Sequence, residues 1–453
     1  MDRTQQLKAM VEQNREKIFA AERYIWKHPE TGYREWKTNA YMKKVFEDLG
    51  YTLVEAGNIP GFYTDIDTGR PGPKVCIMGE LDSLLCSNHP DADPETGAVH
   101  ACGHNAQCAT LVGVATALKE PGALDGLSGS IRLMAVPAEE LLEIGYREGL
   151  RQQGVIKYMG GKVEFLHRGY YKDVDISMMI HTSNLPEGTA FSIPKGSNGC
   201  VVKNIDYQGV SSHAGGAPNK GINALYAATI GIQAVNSLRE TFQDDQHIRF
   251  HPIITEGGQA VNAIPNLTKI ESYVRGASME AIIGANERVN RALAASAAAF
   301  GANVHLGDRP GYSPLNNDKN LRLVAKEAME QVVDAAQVSF NDNWSTGCTD
   351  MGDISCVMPA IHPYAAGAIG VGHGNDYYID DAEKACVNAA KALVLMADIL
   401  LRDDAAMGKK VVAEATPVYP SQEAFLAAID KLMLDKDAVI YNEDGTVTLD
   451  YKN

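Results

Sequence analysis

Val75-Cys76-Ile77-Met78-Gly79-Glu80-Leu81-Asp82-Ser83-Leu84 is an apolar run that passes directly into two carboxylates one residue apart. The stretch from Val75 to Gly79 reads as a strand buried on both faces, the kind found in parallel sheets. Such a strand delivers the residues after it to the carboxyl end of the sheet, where ligands of open α/β folds collect. Upstream, the spacing predicts a helix over Gln5 to Lys27, a break at His28-Pro29-Glu30-Thr31-Gly32, and a second helix over Glu35 to Leu49. Downstream, a polar loop from Ser87 to Val99 leads into His100-Ala101-Cys102-Gly103-His104-Asn105. Glycine between Cys102 and His104 lets the backbone bend without a Cβ clash, so a thiol and an imidazole can face one point. That donor pair suits zinc and similar borderline metals, although a buried Cys beside a His is more often simple packing. Ala106 to Leu118 reads as a helix packed on the sheet, and its positive N-terminal end favours a thiolate at the motif.

Three further strand ends carry the same chemistry. Ile131-Arg132-Leu133-Met134-Ala135-Val136 runs into Pro137-Ala138-Glu139-Glu140. Adjacent side chains just past a strand point in different directions, so one carboxylate can hold a metal while the other faces the space above it. The bland alternative is a solvated pair opening a helix. Val174-Asp175-Ile176-Ser177-Met178-Met179-Ile180 ends in His181, and Gly370-Val371-Gly372-His373-Gly374 holds a histidine between glycines. A lone histidine is usually structural. Four strand ends bearing Cys/His, Glu/Glu, His and His point instead to a metal centre.

The chain has 453 residues, too many for one growing core, which predicts two domains. A net charge of −16 argues against nucleic acid or an anionic membrane as partner. No segment is long and charge-free enough to span a bilayer. Met1 to Trp26 lacks the apolar core of a signal peptide, and the eight cysteines have no framework spacing. Both features favour a cytoplasmic protein with reduced thiols. From about Ser197 to Asp308 the order is strand, helix, strand, strand, helix, strand, a ferredoxin-like α+β unit inserted into the α/β domain. The expected division is a first domain over 1–196 and 309–406, the insertion over 197–308, and a C-terminal extension over 407–453. That extension is expected to hold one helix, Gln422 to Leu434, and a hairpin at Asp444-Gly445.

These motifs, with Ser212-His213-Ala214-Gly215, Gly257-Gly258-Gln259-Ala260-Val261-Asn262-Ala263-Ile264-Pro265 and Thr349-Asp350-Met351-Gly352, resemble the aminoacylase and carboxypeptidase family of co-catalytic metallopeptidases. The likeness is to its amidohydrolase branch, which includes hippurate, indole-acetyl-amino-acid and aminobenzoyl-glutamate hydrolases and aminoacylase-1-like dipeptidases. It runs from His28 to about Leu401. It implies a zinc-peptidase-like catalytic domain, a mixed sheet flanked by helices, with the insertion acting as lid and dimerisation domain.

The resemblance implies that Cys102, His104, Glu140, His181 and His373 hold two divalent ions per subunit (zinc, manganese, cobalt or nickel), with Cys102 able to bridge them. Glu139 matches the general base that takes a proton from the attacking water, and Asp82 a carboxylate that orients the site. His213, Asn262 and Arg275 match substrate-binding groups, the histidine reaching over from the second subunit of a homodimer. By residue type alone, His213 and Arg275 read as a surface histidine and a solvated strand-end arginine. The sequence departs from the wider family pattern at Glu80, as expected in this branch, at Leu85 in place of a proline, and at Asn105, where the usual Asp is replaced as in the dipeptidase-like relatives; His362 competes with His373 as last ligand, and the glycine-flanked loop favours His373. The implied activity is hydrolysis of an amide whose leaving amine carries a free carboxylate, in an N-acyl amino acid, an aminobenzoyl-glutamate-like conjugate or a dipeptide. A silent binding protein on the same fold and a cysteine peptidase using Cys102 are the alternatives; retention of all five ligands and Glu139 speaks against the first.

Overall fold

The computed structural model describes residues 2–452 and divides into two compact units. The first comprises 2–196, Leu315–Trp344 and Asp353–Gln422; the second comprises Ser197–Pro314, Ser345–Gly352 and 423–452.

The first unit is built on a six-stranded mixed sheet in the order Val54–Glu55, Phe62–Asp67, Ser130–Val136, Lys74–Glu80, Ile176–Met178, Ala360–Ile361. Lys74–Glu80 lies in the middle and pairs in parallel on both sides, with Val75 opposite Ile131 and Ile176. Its burial from Val75 to Glu80 follows from that position, since both faces are covered. The helix His104–Ala117 has every residue buried and packs against this strand. A residue set so short of charge can be a helix only where neighbours cover it all round, here Arg15–Trp26 and Ala389–Glu414. The two strands that carry Glu80 and Val136 end side by side, so Asp82 and the Glu139–Glu140 pair emerge at one edge.

Several elements differ from expectation. The N-terminal helix is two, Arg3–Glu12 and Arg15–Trp26. Asn14 makes the break, because its side-chain amide donates to the Met10 carbonyl at 3.0 Å and competes with the helical ladder. Val174 to His181 is not one strand. Ile176–Met178 stays in the large sheet, whereas His181–Thr182 joins a four-stranded sheet beside Tyr364–Ala365. The helix Lys319–Glu330 is capped by Asp318 and followed by a single tight turn at Ala335–Gln337.

The second unit carries the strand order Arg249–Phe250 and Ile253–Glu256, then Leu267–Gly276, Gly196–Gln208, Asn303–Tyr312 and Leu434–Asp437, with helices Ala224–Asn236 and Met279–Ala299 packed together. The strand Asn303–Tyr312 runs on through Arg309 and Pro310, where a domain crossing was expected. Proline fits there because the register shifts beside its partner Val201, and an amide is not required at such an irregularity. The tail is not a separate extension. Residues 407–414 continue the Ala389–Glu414 helix past an irregular turn at Arg402–Ala405. Leu434–Asp437 pairs with Asn303–Tyr312 and closes a sheet edge that would otherwise be open to foreign strands. Leu434, Ala438 and Val439 join the apolar core there, so burial fixes the tail. Among the described residues no helix is long and apolar enough to cross a membrane.

Candidate metal centre

The first unit gathers all five expected ligands together with Asp82 and Glu139. Cys102, His104 and His181 form one convergent set, and Cys102, Glu140 and His373 a second; within each, the donor atoms lie within 4.8 Å of one another. Cys102 belongs to both. A third set joins Glu80, His104 and Glu139.

Backbone conformation produces this convergence. Gly103 has φ +93°, left-handed, and begins the helix at His104, so Cys102 and His104 turn inward together. Tyr377 donates its hydroxyl to the Cys102 carbonyl at 3.3 Å and blocks any side chain at position 103, where a Cβ would lie 2.4 Å from that oxygen. The exit of the chain from the large sheet after Met178 places His181 opposite Tyr364. His373, itself at φ +65°, is held by its amide on the Ala101 carbonyl at 2.8 Å.

Tautomers follow from the second nitrogen of each ring. His104 Nδ1 lies 2.9 Å from the Asp82 carbonyl and 3.2 Å from Asp82 Oδ1, so it keeps its proton and Nε2 is the nitrogen available to an ion. His181 Nδ1 likewise faces the Thr182 carbonyl at 2.7 Å, which turns its Nε2 toward Cys102 Sγ at 3.4 Å. His104 Nε2 then lies 3.1 Å from Glu80 Oε2 and 3.9 Å from Glu139 Oε2, without the alignment of a hydrogen bond. His373 Nε2 stands 3.1 Å from Glu140 Oε1, again unaligned. Sulfur, nitrogen and oxygen donors therefore face one another in a partly buried space, with His104 and Glu140 buried and His373 exposed. That arrangement is stable only around positive charge, and the donor set is one that zinc and related divalent ions take. The residues fit such ions.

Electrostatics agree. Burial and the neighbouring Glu140 push the Cys102 thiol up, but His104 and His181 outweigh them and bring it down to about 6. The Glu140 carboxylate pulls His373 up to about 11. Burial raises Glu140, yet His373 and His104 hold it down at about 2. The cluster attracts protons where cations would sit, so binding a cation releases them.

Several partners of the residues around the centre had no signal in the sequence. Glu80 is paired with the buried Lys162 and accepts from Gln107 Nε2 at 2.9 Å, and Lys162 with His104 holds it well below the usual carboxylate range against the cost of burial. Asn105, where the family pattern has an acid, donates to the buried Glu22 at 2.7 Å; an acid at 105 would face another acid. Glu35 accepts the Ala138 amide at 2.7 Å, and Asp82 Oδ2 accepts the Glu140 amide at 2.8 Å. These partners come from positions 22, 35 and 162, and only tertiary structure brings them together. His362 is buried with both ring nitrogens unpartnered, its ring 5.6 Å from that of His181, and it belongs to none of the convergent sets.

The three expected substrate-binding residues lie in the second unit and do not converge within the chain. His213 forms a bridge with Ala263, and the Ala214 amide donates to the Asn262 carbonyl at 2.9 Å, so His213 and Asn262 share one exposed corner beyond Leu267. Arg275 lies at the other end of the Leu267–Gly276 strand, opposite Cys200. Eight residue steps of extended strand separate Leu267 from Arg275, about 27 Å. The Arg275 guanidinium sits 5.3 Å from the Tyr273 ring, and its Nε is buried without a partner.

Comparison with known proteins places this geometry. The chain is 26% identical over 443 residues to Xaa-Arg dipeptidase of Homo sapiens, covering 93% of each chain. It is 25% identical over 342 residues to N-acetyl-L-cysteine deacetylase of Bacillus subtilis, covering 72% of this chain and 76% of that one. Among solved structures, a dinuclear metal binding peptidase of the M20 family from Bacillus subtilis superposes with a TM-score of 0.63 at 22% identity, over 87% of this chain and 99% of the other. Residues 76–398, from the central strand to the last long helix, match the family model of Peptidase family M20/M25/M40, and the chain is a member of that family.

Proposed function

We propose that this protein is a metal-dependent amidohydrolase that cleaves the amide bond of an N-acyl amino acid, an aminobenzoyl-glutamate-like conjugate or a dipeptide, with two divalent ions per chain. The observation that carries the reading is the pair of lone-pair clusters sharing Cys102, with the Glu139 carboxylate beside them. Bound divalent ions would polarise the scissile carbonyl and acidify the attacking water. Cys102, His104, Glu140, His181 and His373 would hold them. Glu139 takes the proton of the attacking water and delivers it to the leaving amine, the work of a carboxylate within reach but outside the ligand set. Asp82 fixes the tautomer of His104 and the amide of Glu140, so it sets the direction of both.

Arg275 is the group suited to a substrate carboxylate, since a guanidinium binds one through two parallel bonds. His213 and Asn262 are suited to the developing oxyanion and the substrate main chain. Because these two lie at the strand end remote from Arg275, one substrate cannot use all three from a single chain, which favours a homodimer that exchanges them. Relatives named for arginyl dipeptides and for acetylated cysteine agree with a leaving amine that carries a carboxylate.

A screen of N-acyl amino acids, aminobenzoyl-glutamate and dipeptides tests the proposal, with zinc, manganese, cobalt or nickel added back to chelated protein. Turnover of at least one class, dependent on metal, is expected. Inactivity on every class with metal bound would remove the substrate reading.

A further inference from the structure

Arg147 lies in the segment between Glu140 and Gly160, which no motif explains. It stands on the helix Ile144–Gln152 and is 1% exposed. Its side chain donates to the Met159 carbonyl at 2.7 Å, to the Glu140 carbonyl at close range, and to the Ala138 carbonyl at 3.5 Å. All three acceptors are main-chain carbonyls, and Nε has no partner. Burying a guanidinium on neutral acceptors, with only the Tyr33 ring 5.6 Å away beside them, is costly, so its presence calls for a reason beyond packing. Its charge also bears on Glu35, whose carboxyl is raised by burial and Asp82 and lowered in smaller part by Arg147.

The acceptors identify the task. Ala138 has φ +57°, a conformation that a residue with a Cβ adopts only when its surroundings impose it. The Glu35 carboxylate receives the Ala138 amide, Asp82 receives the Glu140 amide, and Arg147 holds the Glu140 carbonyl between them. Gly32 makes room, for a Cβ there would lie 2.3 Å from Arg147 Nη2 and 2.9 Å from the Ala138 Cα. The Glu30-Thr31-Gly32 turn is therefore the wall against which the guanidinium presses, and Thr31 also donates to Glu143, at φ +50° on the far side of the same loop.

We propose that Arg147 is a positioning residue for hydrolysis: it locks the peptide units of the Glu139–Glu140 turn, so that Glu140 faces the metal cluster while Glu139 faces the reacting water. This rests on the metal-dependent reading above and deepens it. Loss of the guanidinium frees the turn, so both carboxylates lose their directions while substrate-binding groups elsewhere are untouched.

The test compares wild type, Arg147→Met and Arg147→Lys for zinc affinity by chelator competition and for kcat and KM on one substrate. Arg147→Met is expected to weaken zinc binding roughly tenfold or more and to lower kcat by about the same factor or more, with KM little changed. Arg147→Lys, which keeps the charge but reaches fewer carbonyls, is expected to fall between the two. Folded Arg147→Met with zinc affinity and kcat at wild-type levels, or with its loss confined to KM, overturns the proposal. Should Arg147→Met not fold, Arg147→Lys decides: wild-type zinc affinity and kcat overturn the proposal, and a loss in both supports it. Wild type that binds none of zinc, manganese, cobalt and nickel removes the metal-dependent reading itself, whereas active, zinc-binding wild type beside indistinguishable variants removes only the role of Arg147.

Discussion

The duties proposed for Glu139 and Glu140, neighbours in sequence, can be separated by measurement. Glu139→Gln keeps the shape of the side chain and removes the proton acceptor. Turnover should fall roughly a hundredfold or more while bound metal, by elemental analysis, is unchanged. Glu140→Gln removes a ligand charge beside His373 and should lower metal content instead. A Glu139→Gln enzyme with near wild-type turnover would show that another group carries the proton. Asn105 offers a second test at this scale. Its amide donates to Glu22, and both side chains are almost wholly buried. Asn105→Asp replaces that bond by two facing carboxylates, so urea unfolding at neutral pH should show a loss of about 2–3 kcal/mol. Protonating one of the pair relieves the repulsion, so the gap to wild type should narrow as pH falls toward the carboxylate range.

At the scale of elements, the tail strand Leu434–Asp437 is held by a pH-sensitive clasp. His305 on the neighbouring strand faces Asp435 at 2.7 Å and Asp437 at 3.0 Å. Burial lowers the imidazole pKa, but the two acids outweigh it and raise it above the ordinary 6.5. A raised histidine pKa stabilises the folded form fully below the unfolded value, and the contribution disappears as pH rises through the folded value. Hydrogen exchange of the Leu434–Asp437 amides should therefore be slowest, after correction for intrinsic rates, below about pH 6.5 and should quicken at higher pH; His305→Ala should abolish the difference. The tail also shows what the sequence could not reveal. A buried parallel strand ending in Glu80 and Asp82, a helix beginning at the Cys102–His104 turn, and the alternation of the second unit were legible because each has a local period or a glycine signal. The break at Asn14, the departure of His181 from the large sheet and the pairing of Leu434–Asp437 were not. Each is decided by side-chain or strand partners that no local period encodes: Met10 and the distant Glu120 for Asn14, Tyr364 opposite His181, and His305 opposite Asp437. Glu22, Glu35, Arg147 and Lys162 were illegible for a related reason, since an isolated charged residue in a helix reads as a solvated face.

For the whole molecule, the separation of His213 and Asn262 from Arg275 along one strand predicts complementation between chains. Arg275→Ala should raise KM for substrates with a free carboxylate by the equivalent of about 1.5–3 kcal/mol and affect amidated substrates much less. In a homodimer that exchanges these residues, mixing inactive His213→Ala with Arg275→Ala protein should restore activity. Each mixed dimer then has one intact site and one that lacks both groups. No recovery on mixing would place both groups in one chain's own site. The most direct measurement is a metal titration of exhaustively chelated protein, with bound ion and turnover followed on the same samples. Metal-free protein should be inactive, should take up two divalent ions per chain with release of protons, and should gain activity in step with their binding. Full activity in protein shown by elemental analysis to hold no metal would contradict the assignment of Cys102, His104, Glu140, His181 and His373 as a catalytic metal centre.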